Sequence, residues 1–178
     1  MGADKALLAF AGQTMLQHAL KITAAVADDV RIVGPKERYA GFGDVVEDIY
    51  PGCGPLAGIH AALAASPSDL NLMLSVDMPL MTAEFLRWLV GHAEMRQEFI
   101  VVPSALGGSQ PLCAVYHRMV RVAAEAALQT GEYKVGLLFD KVRTRVITEQ
   151  EIVAAGFSPD IFRNVNTVAE YEALVRAQ

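Results

Sequence analysis

Cysteine and histidine are scarce in this sequence of 178 residues. Its two cysteines, Cys53 and Cys113, are too few for a disulfide framework and form no Cys-x-x-Cys pair, so we expect the reduced thiols of a cytoplasmic protein. None of the histidines stands at the close spacing of a zinc site; they are His18, His60, His92 and His117. The sequence therefore predicts neither a disulfide-stabilised domain nor a zinc centre.

Positive charge and long apolar runs are also lacking. Lysine and arginine number 15 against 20 acidic residues, which gives a net charge of −5 and argues against binding to nucleic acid. No run approaches the ~20 apolar residues of a membrane span. The apolar stretch 6–11 follows Asp4 and is too short for a secretory signal. We predict a soluble cytoplasmic protein without nucleic-acid or membrane partners.

Hydrophobic residues make up 53% of the sequence, and the length suits one domain over residues 1–178. Short apolar runs alternate with helical stripes, a pattern typical of α/β proteins with a mostly parallel sheet covered by helices on both faces. The predicted strands are Val30–Val33, Val45–Ile49, Leu72–Val76, Phe99–Val102, Leu112–Tyr116 and Thr144–Ile147.

Polar patterning refines this picture at three places. Leu72–Val76 contains only one polar residue, so we expect a central strand buried on both faces. Thr82 is a suitable N-cap for the helix that follows it, and Thr167 with Glu170 forms a capping box for a last helix.

Asp77 follows the predicted central strand directly and stands just before Met78 and Pro79. In open parallel sheets, ligands bind outside the carboxyl ends of strands, so this carboxylate is well placed for a ligand or Mg²⁺. The alternative is an ordinary turn or capping aspartate. Thr82 already serves as the cap, which weakens that alternative.

A glycine- and proline-rich turn spans residues 51–58 and precedes another predicted helix. Gly54 permits close approach of a ligand to the backbone, and Pro55 suits the first helical position. Asp48, just upstream, could accept two N–H bonds from a guanine edge. The alternatives are an ordinary strand-to-helix turn for residues 51–58 and a solvated aspartate at the strand end for Asp48.

Polar residues in four further segments could bind phosphates, a cation or an acceptor. Lys5 after Gly2 could neutralise nucleotide phosphates, although a frayed terminus is the simpler interpretation. Asn164 and Asn166 offer neutral oxygens for Mg²⁺. Gln110 and Lys134 are two further candidates. The alternative for Gln110 is an ordinary hairpin residue, and the alternative for Lys134 is a solvated charge.

Five short motifs occur in one order along the chain, and together they resemble the molybdenum cofactor guanylyltransferases. They are Met1-Gly-Ala-Asp-Lys5-Ala-Leu-Leu, Gly54-Pro-Leu-Ala-Gly58, Val76-Asp-Met-Pro79, Gln110-Pro-Leu112 and Asn164-Val-Asn-Thr167. The resemblance covers essentially the whole chain. It implies a Rossmann-like nucleotidyltransferase fold with a three-layer, mostly parallel sheet, and transfer of GMP from GTP to molybdopterin with release of pyrophosphate.

The resemblance also implies roles for residues that match its motifs. Lys5 and Asp77 are the implied catalytic residues, and Asp77 with Asn166 would hold Mg²⁺. The implied nucleotide-binding residues are Gly2, Lys5, Asp48, Gly54, Pro55 and Asp77. The implied acceptor-binding residues are Gln110, Lys134 and Asn164. GTP and molybdopterin are then the expected small-molecule partners, with other cofactor-biosynthesis proteins or acceptor molybdoenzymes as protein partners.

Two departures from the family pattern leave alternatives open. Residues 33–36 contain no asparagine of the kind that helps such enzymes read guanine, so cytidylyl or another nucleotidyl transfer to a phosphorylated acceptor remains an alternative. The sequence also starts inside the first motif, without the preceding strand and Gly-Gly loop. We expect the natural chain to begin upstream of Met1; the other interpretation is a non-catalytic nucleotide-binding module.

Overall fold

A computed structural model describes residues 4–95, 97–165 and 170 of the chain. Within these residues the helices are α1 (Met15–Ala24), α2 (Lys36–Tyr39), α3 (Pro55–Ala65), α4 (Ala83–Glu94), α5 (Val120–Gln129) and α6 (Glu149–Ala154). The strands are β1 (Ala9–Phe10), β2 (Gln13–Thr14), β3 (Ile32–Val33), β4 (Val45–Val46), β5 (Leu70–Leu74), β6 (Ile100–Ala105), β7 (Gly108–Ser109), β8 (Cys113–His117) and β9 (Thr144–Ile147). Short 3-10 helices cover Lys5–Leu7, Val135–Leu138 and Pro159–Phe162.

The main sheet has five strands and is not mostly parallel, contrary to the expectation from sequence. Strand β8 lies between β5 and β6 and is antiparallel to both, whereas β9 pairs with β6 in parallel. The reversal comes from a hairpin between β6 and β7, whose central residues Leu106 and Gly107 both have positive φ (54° and 81°). Such a two-residue turn sends the chain straight back, so no helical crossover intervenes before β8.

Helices cover both faces of this sheet, as predicted. On one face, α3 and α5 pack against Ile100 and Tyr116. On the other face, α4 and α6 pack against Val101 and Val115. Since consecutive strand residues point to opposite faces, adjacent residues of β6 and β8 contribute to two separate cores.

Strand β5 differs from its prediction in both position and surroundings. It covers Leu70–Leu74, and all five residues are only half-buried. Among the described residues it pairs with β8 alone. Its other edge faces a cavity of about 680 Å³, which we name the β3–β5 cavity; residues 30–33 and 70–76 line it together with side chains of α1 and α3. The predicted central strand is therefore an edge strand in this structure.

The other local predictions are confirmed in part. The predicted strand Thr144–Ile147 matches β9, while β3 and β4 are shorter than predicted. The Thr82 hydroxyl caps α4 by accepting the Phe85 N–H at 3.2 Å. The predicted capping box at Thr167 falls outside the described residues. No helix within the described residues has the length and apolar character needed to cross a membrane.

His60 is a buried polar residue at the packing interface of α3 and α5. The side chain is 2% exposed, and both ring nitrogens lack a hydrogen-bond partner among the described residues. Burial lowers the pKa of the His60 imidazole; the Glu125 carboxylate opposes this shift and Arg121 reinforces it. The folded protein therefore holds the ring neutral under conditions where an exposed histidine takes up a proton.

This burial predicts a loss of stability at mildly acidic pH. As the pH falls through about 6.5, the unfolded state binds a proton at His60 that the folded state does not, so the free energy of unfolding decreases. The variant His60→Leu should flatten this decrease in urea unfolding measured across this range. A residual slope will remain from His18, whose pKa burial also lowers. The control Ile59→Val, which changes a buried side chain of the same helix that does not titrate, should keep the original slope. An unchanged slope in His60→Leu would contradict the assignment.

Candidate nucleotide and cation site

Asp77 lies in the segment that follows β5, and its carboxylate has an unusual environment. Its Oδ1 atom is buried and has no hydrogen-bond partner among the described residues. The backbone carbonyl of Asp77 accepts the Val165 N–H at 2.9 Å. This bond brings the segment containing Asn164 next to Asp77, although 88 residues of sequence separate the bonded pair. A buried carboxylate oxygen without a donor is suited to bind a cation or a ligand donor.

Lys5 begins the 3-10 helix Lys5–Leu7, and Asp4 fixes this turn. Asp4 Oδ1 accepts the Ala6 N–H at 3.1 Å, while Oδ2 accepts the Tyr39 hydroxyl at 2.7 Å and the Arg38 guanidinium at 3.1 Å. Burial opposes ionisation of Asp4, but the hydrogen bonds from Tyr39, Ala6 and Arg38 outweigh it, so its pKa lies below the usual value. The turn is therefore anchored to α2.

The turn that carries Lys5 packs beside the segment that carries Asp77. Ala6 is buried in one cluster with Leu16 and Ile32, and Val76 packs against the same cluster. Lys5 and Asp77 are thus each one residue away from a member of this shared cluster. The structure brings these two predicted catalytic residues into one region.

Asp48 and the start of α3 line the β3–β5 cavity together with Val76. Gly54 has φ of 69°, a left-handed conformation that favours glycine, and Pro55 is the first residue of α3. Asp48 Oδ1 would lie 3.7 Å from a Cβ atom added at Gly58, so the carboxylate sits directly over this helix. Desolvation raises the pKa of the Asp48 carboxyl. This position suits a carboxylate that accepts hydrogen bonds from a ligand.

Lys134 is exposed and stands near the same turn. A hydrogen bond between Tyr133 and Cys53 raises the pKa of the Tyr133 hydroxyl. Val135, on the other side of Lys134, packs in the cluster that contains Leu56 of α3. The segment around Lys134 therefore lies beside the N-terminal end of α3.

Gln110 braces the hairpin between β6 and β7. Its Nε2 atom donates to the Ala105 carbonyl at 2.9 Å and more weakly to the Gly108 carbonyl at 3.4 Å. Its backbone carbonyl accepts the Cys113 N–H at the start of β8. The described contacts thus give Gln110 a structural role and do not join it to Asp77.

The residues around Asp77 fit a divalent cation whose remaining coordination positions are filled by water and by the phosphates of the bound substrate. Among the described residues, no group of three or more His, Cys, Asp or Glu side chains could hold a metal by itself. Mg²⁺ commonly binds through one or two carboxylates plus water and substrate phosphates. One buried Asp77 oxygen, without a hydrogen-bond partner in the described part of the chain, lies beside an asparagine-bearing segment and matches that donor set.

Two predicted site residues, Gly2 and Asn166, lie outside the described residues. Conversely, sequence reasoning missed that Asp4 and Tyr39 anchor the Lys5 turn. The sequence does contain a signal for the role of Asp4, because aspartate is a preferred N-cap residue before a helical turn. The partner Tyr39 lies 35 positions away, and local sequence patterns do not predict such contacts.

The family whose sequence profile matches this chain is described as the MobA-like NTP transferase domain, and the match covers residues 1–144. The chain is also 34% identical over 180 residues to a protein of Bacillus licheniformis named probable molybdenum cofactor guanylyltransferase. That alignment covers 97% of this chain and 89% of the relative.

Solved structures show the same fold. Molybdopterin-guanine dinucleotide biosynthesis protein A from Archaeoglobus fulgidus superposes with a TM-score of 0.84 at 20% identity, covering 99% of this chain and 91% of that one. Rv0371c from Mycobacterium tuberculosis, solved in complex with manganese, gives a TM-score of 0.65 at 15% identity, with 98% and 92% coverage. The nucleotidyltransferase-like α/β fold therefore extends over the chain.

The anchoring of the Lys5 turn yields a stability prediction. Asp4→Ala removes the cap of the 3-10 helix and leaves the Tyr39 hydroxyl without its acceptor, so we expect a loss of about 1–2 kcal/mol in the free energy of unfolding. Asp4→Asn, which retains an oxygen acceptor, should lose less. Urea unfolding measures both. The control Asp44→Ala, at an exposed position, should change stability by less than about 0.5 kcal/mol; an equal effect of Asp4→Ala would contradict the anchoring role.

Proposed function

The chain belongs to the family of MobA-like NTP transferases, and on this premise we propose that it transfers GMP from GTP to the terminal phosphate of molybdopterin. The products are molybdopterin guanine dinucleotide and pyrophosphate. The whole-length similarity to molybdenum cofactor guanylyltransferases supports this reaction.

The observation that carries the proposal is the buried Oδ1 of Asp77, which has no hydrogen-bond partner among the described residues. An isolated carboxylate oxygen in that state is costly to the folded protein unless a ligand engages it. Its neighbours on the Lys5 turn and near Asn164 offer a positive charge and amide oxygens, which suit a triphosphate with its cation.

The proposed reaction is an in-line displacement at phosphorus. An oxygen of the terminal molybdopterin phosphate forms a bond to the α-phosphorus of GTP, and the bond from that phosphorus to the bridging β-oxygen breaks. Pyrophosphate leaves with the bonding electron pair, and no covalent intermediate with the protein is required. The protein therefore contributes positioning and charge neutralisation.

Each residue has a separate task in this proposal. Asp48 and the α3 turn with Gly54 and Pro55 hold the guanosine part, and the Lys5 ammonium neutralises phosphate charge. The acceptor is assigned to the residues predicted for it from the sequence, which are Gln110, Lys134 and Asn164.

Asp77 would hold Mg²⁺ or a similar divalent ion, with Asn166 as a further ligand. When bound, such an ion neutralises the phosphate oxygens and polarises the reacting phosphorus centre. The manganese complex of Rv0371c supports a divalent ion in a protein of this fold.

The cation assignment predicts the effect of a single isosteric change. Asp77→Asn should fold normally but reduce pyrophosphate release from GTP and molybdopterin by orders of magnitude, because a neutral amide binds the cation weakly. The protein is assayed with saturating Mg²⁺. The control Asp140→Asn replaces another aspartate, one that is exposed. Retention of more than about a tenth of the rate, a barrier change below ~1.4 kcal/mol, would show that Asp77 does not hold the metal.

The base assignment predicts selectivity for GTP over ATP and CTP. Asp48→Ala should reduce that selectivity, since a site built on paired hydrogen bonds rejects partners that leave buried polar groups unmatched. Competition binding with the three nucleotides measures it. Glu47→Ala is the matched control, because Glu47 is the neighbouring acidic residue and its carboxylate accepts the Lys36 N–H instead.

Two outcomes of the competition would change the proposal. A preference for CTP would assign the protein to cytidylyl transfer. Tight GTP binding without pyrophosphate release would identify a nucleotide-binding module.

A further inference from the structure

His18 of α1 is a partly buried histidine to which the proposed reaction assigns no task. Its ring meets the Phe10 ring edge-on, with 4.9 Å between the ring centroids and 72° between the ring planes. Phe10 packs in one cluster with Val165, whose N–H donates to the Asp77 carbonyl. His18 therefore supports the packing around one of the two segments that form the proposed cation site.

Helix α1 also packs against the other segment, which follows Asp77. Met81 is buried in an apolar cluster against which Ile22 of α1 packs. One turn earlier in this helix, His18 faces the backbone carbonyls of Pro79 and Met81, which are close enough to act on the charge of its ring. Its Nε2 atom is buried and has no hydrogen-bond partner of standard geometry in the described part of the chain. These carbonyls are thus the acceptors that the segment presents to the ring.

A contact with Gln13 decides which ring nitrogen of His18 carries the hydrogen. The Gln13 amide nitrogen lies 3.4 Å from Nδ1. Because an amide nitrogen donates, Nδ1 accepts, and in a neutral imidazole the hydrogen is then on Nε2. Burial lowers the pKa of the His18 imidazole; the Pro79 and Met81 carbonyls oppose this shift, and the Lys21 ammonium reinforces it. The ring is therefore neutral at neutral pH, with an Nε2–H group available to a backbone carbonyl.

Packing alone does not explain a histidine at this position. A leucine or phenylalanine side chain would also fill the space against Phe10 and would bury no nitrogen. Burying a polar group without a partner destabilises a folded protein. The imidazole of His18 therefore points to a role for its Nε2–H group.

The backbone around Asp77 is held at two points by these contacts. The Asp77 carbonyl accepts the Val165 N–H at 2.9 Å, and the Pro79 carbonyl faces the His18 ring. Met78, between them, is buried, and the proline ring fixes the φ angle at position 79. A short backbone segment held at both ends restricts the directions in which the Asp77 carboxylate can point.

We propose that His18 is a positioning residue for Asp77. Its Nε2–H group is directed at the backbone carbonyls of Pro79 and Met81, while its ring supports Phe10 and, through it, Val165. Both segments of the cation site are thereby held in place from α1. This inference rests on the proposed function, since it takes Asp77 as the ligand of the nucleotide-bound cation.

The test separates the N–H group of His18 from its volume. His18→Leu removes the donor and keeps an apolar side chain, whereas His18→Gln keeps an N–H donor. His92→Leu is the matched control, because it makes the same change at a partly buried histidine of α4 that packs against Trp88. Binding of Mn²⁺ in the presence of GTP is measured by electron paramagnetic resonance, and binding of GTP without a cation is measured separately.

We expect His18→Leu to weaken Mn²⁺ binding by at least about tenfold, as is typical when a residue that orients a metal ligand is removed. His18→Gln should retain most of the affinity, and His92→Leu should retain all of it. Binding of GTP without a cation should be the same in all variants, because the inference concerns the carboxylate and not the nucleotide. A melting curve of each variant verifies that it is folded.

Nitrogen-15 NMR of the unsubstituted protein tests the same inference without a variant. The His18 ring should be neutral at neutral pH, with its hydrogen on Nε2, in the absence of metal and nucleotide. A hydrogen on Nδ1 would overturn the inference, because Nε2 could not then donate to a carbonyl.

Two binding results would also overturn it. They are wild-type Mn²⁺ affinity in His18→Leu, and equal losses in His18→Leu and His18→Gln, which would show that volume and not the donor matters. Asp77→Asn distinguishes this failure from failure of the proposed function. If Asp77→Asn weakens Mn²⁺ binding and His18→Leu does not, the inference alone is wrong. If Asp77→Asn binds Mn²⁺ like the wild type, the proposed cation site is wrong and the inference is wrong with it.

Discussion

The hydrogen bond from the Val165 N–H to the Asp77 carbonyl joins two segments of the proposed site that are distant in sequence. It connects the segment after β5 to the asparagine-bearing segment near the end of the described chain. Val165 also packs with Phe10 and Met15 in an apolar cluster, and this packing helps to hold its N–H group in position. In the proposed site, this bond keeps the segment that contains Asn164 beside the segment that contains Asp77. The proposed chemistry depends on this connection.

Two features of this region lack partners among the described residues. They are the buried Asp77 Oδ1 and the edge of β5 that faces the β3–β5 cavity. Folded proteins pair nearly all buried polar groups, so such features mark places where something else binds. A phosphate-bound cation would satisfy the carboxylate.

Sequence patterns predicted features that depend on local preference. The strand Thr144–Ile147 and the Thr82 cap are correct because each depends on adjacent residues. The predicted strand Leu72–Val76 lies two residues later than β5, which begins at Leu70 and contains the polar Asn71. The predicted strand Phe99–Val102 ends three residues before β6, which continues through Pro103 to Ala105.

Features that depend on tertiary contacts could not be predicted in this way. The antiparallel return of β8, the Asp4–Tyr39 bond and the open edge of β5 involve residues distant in sequence. The structure places Asp48, Gly54 and Pro55 on one cavity surface, and the Lys5 turn beside the segment of Asp77; the functional roles of these residues stay predictions.

The central claim is that Asp77 directly ligates the nucleotide-bound cation. Its most direct test is anomalous diffraction from crystals of the protein grown with Mn²⁺ and a non-hydrolysable GTP analogue. The account predicts an anomalous peak at coordination distance from Asp77 Oδ1, with phosphate oxygens as further ligands. A peak bound only by phosphate oxygens, or one distant from Asp77, would contradict it.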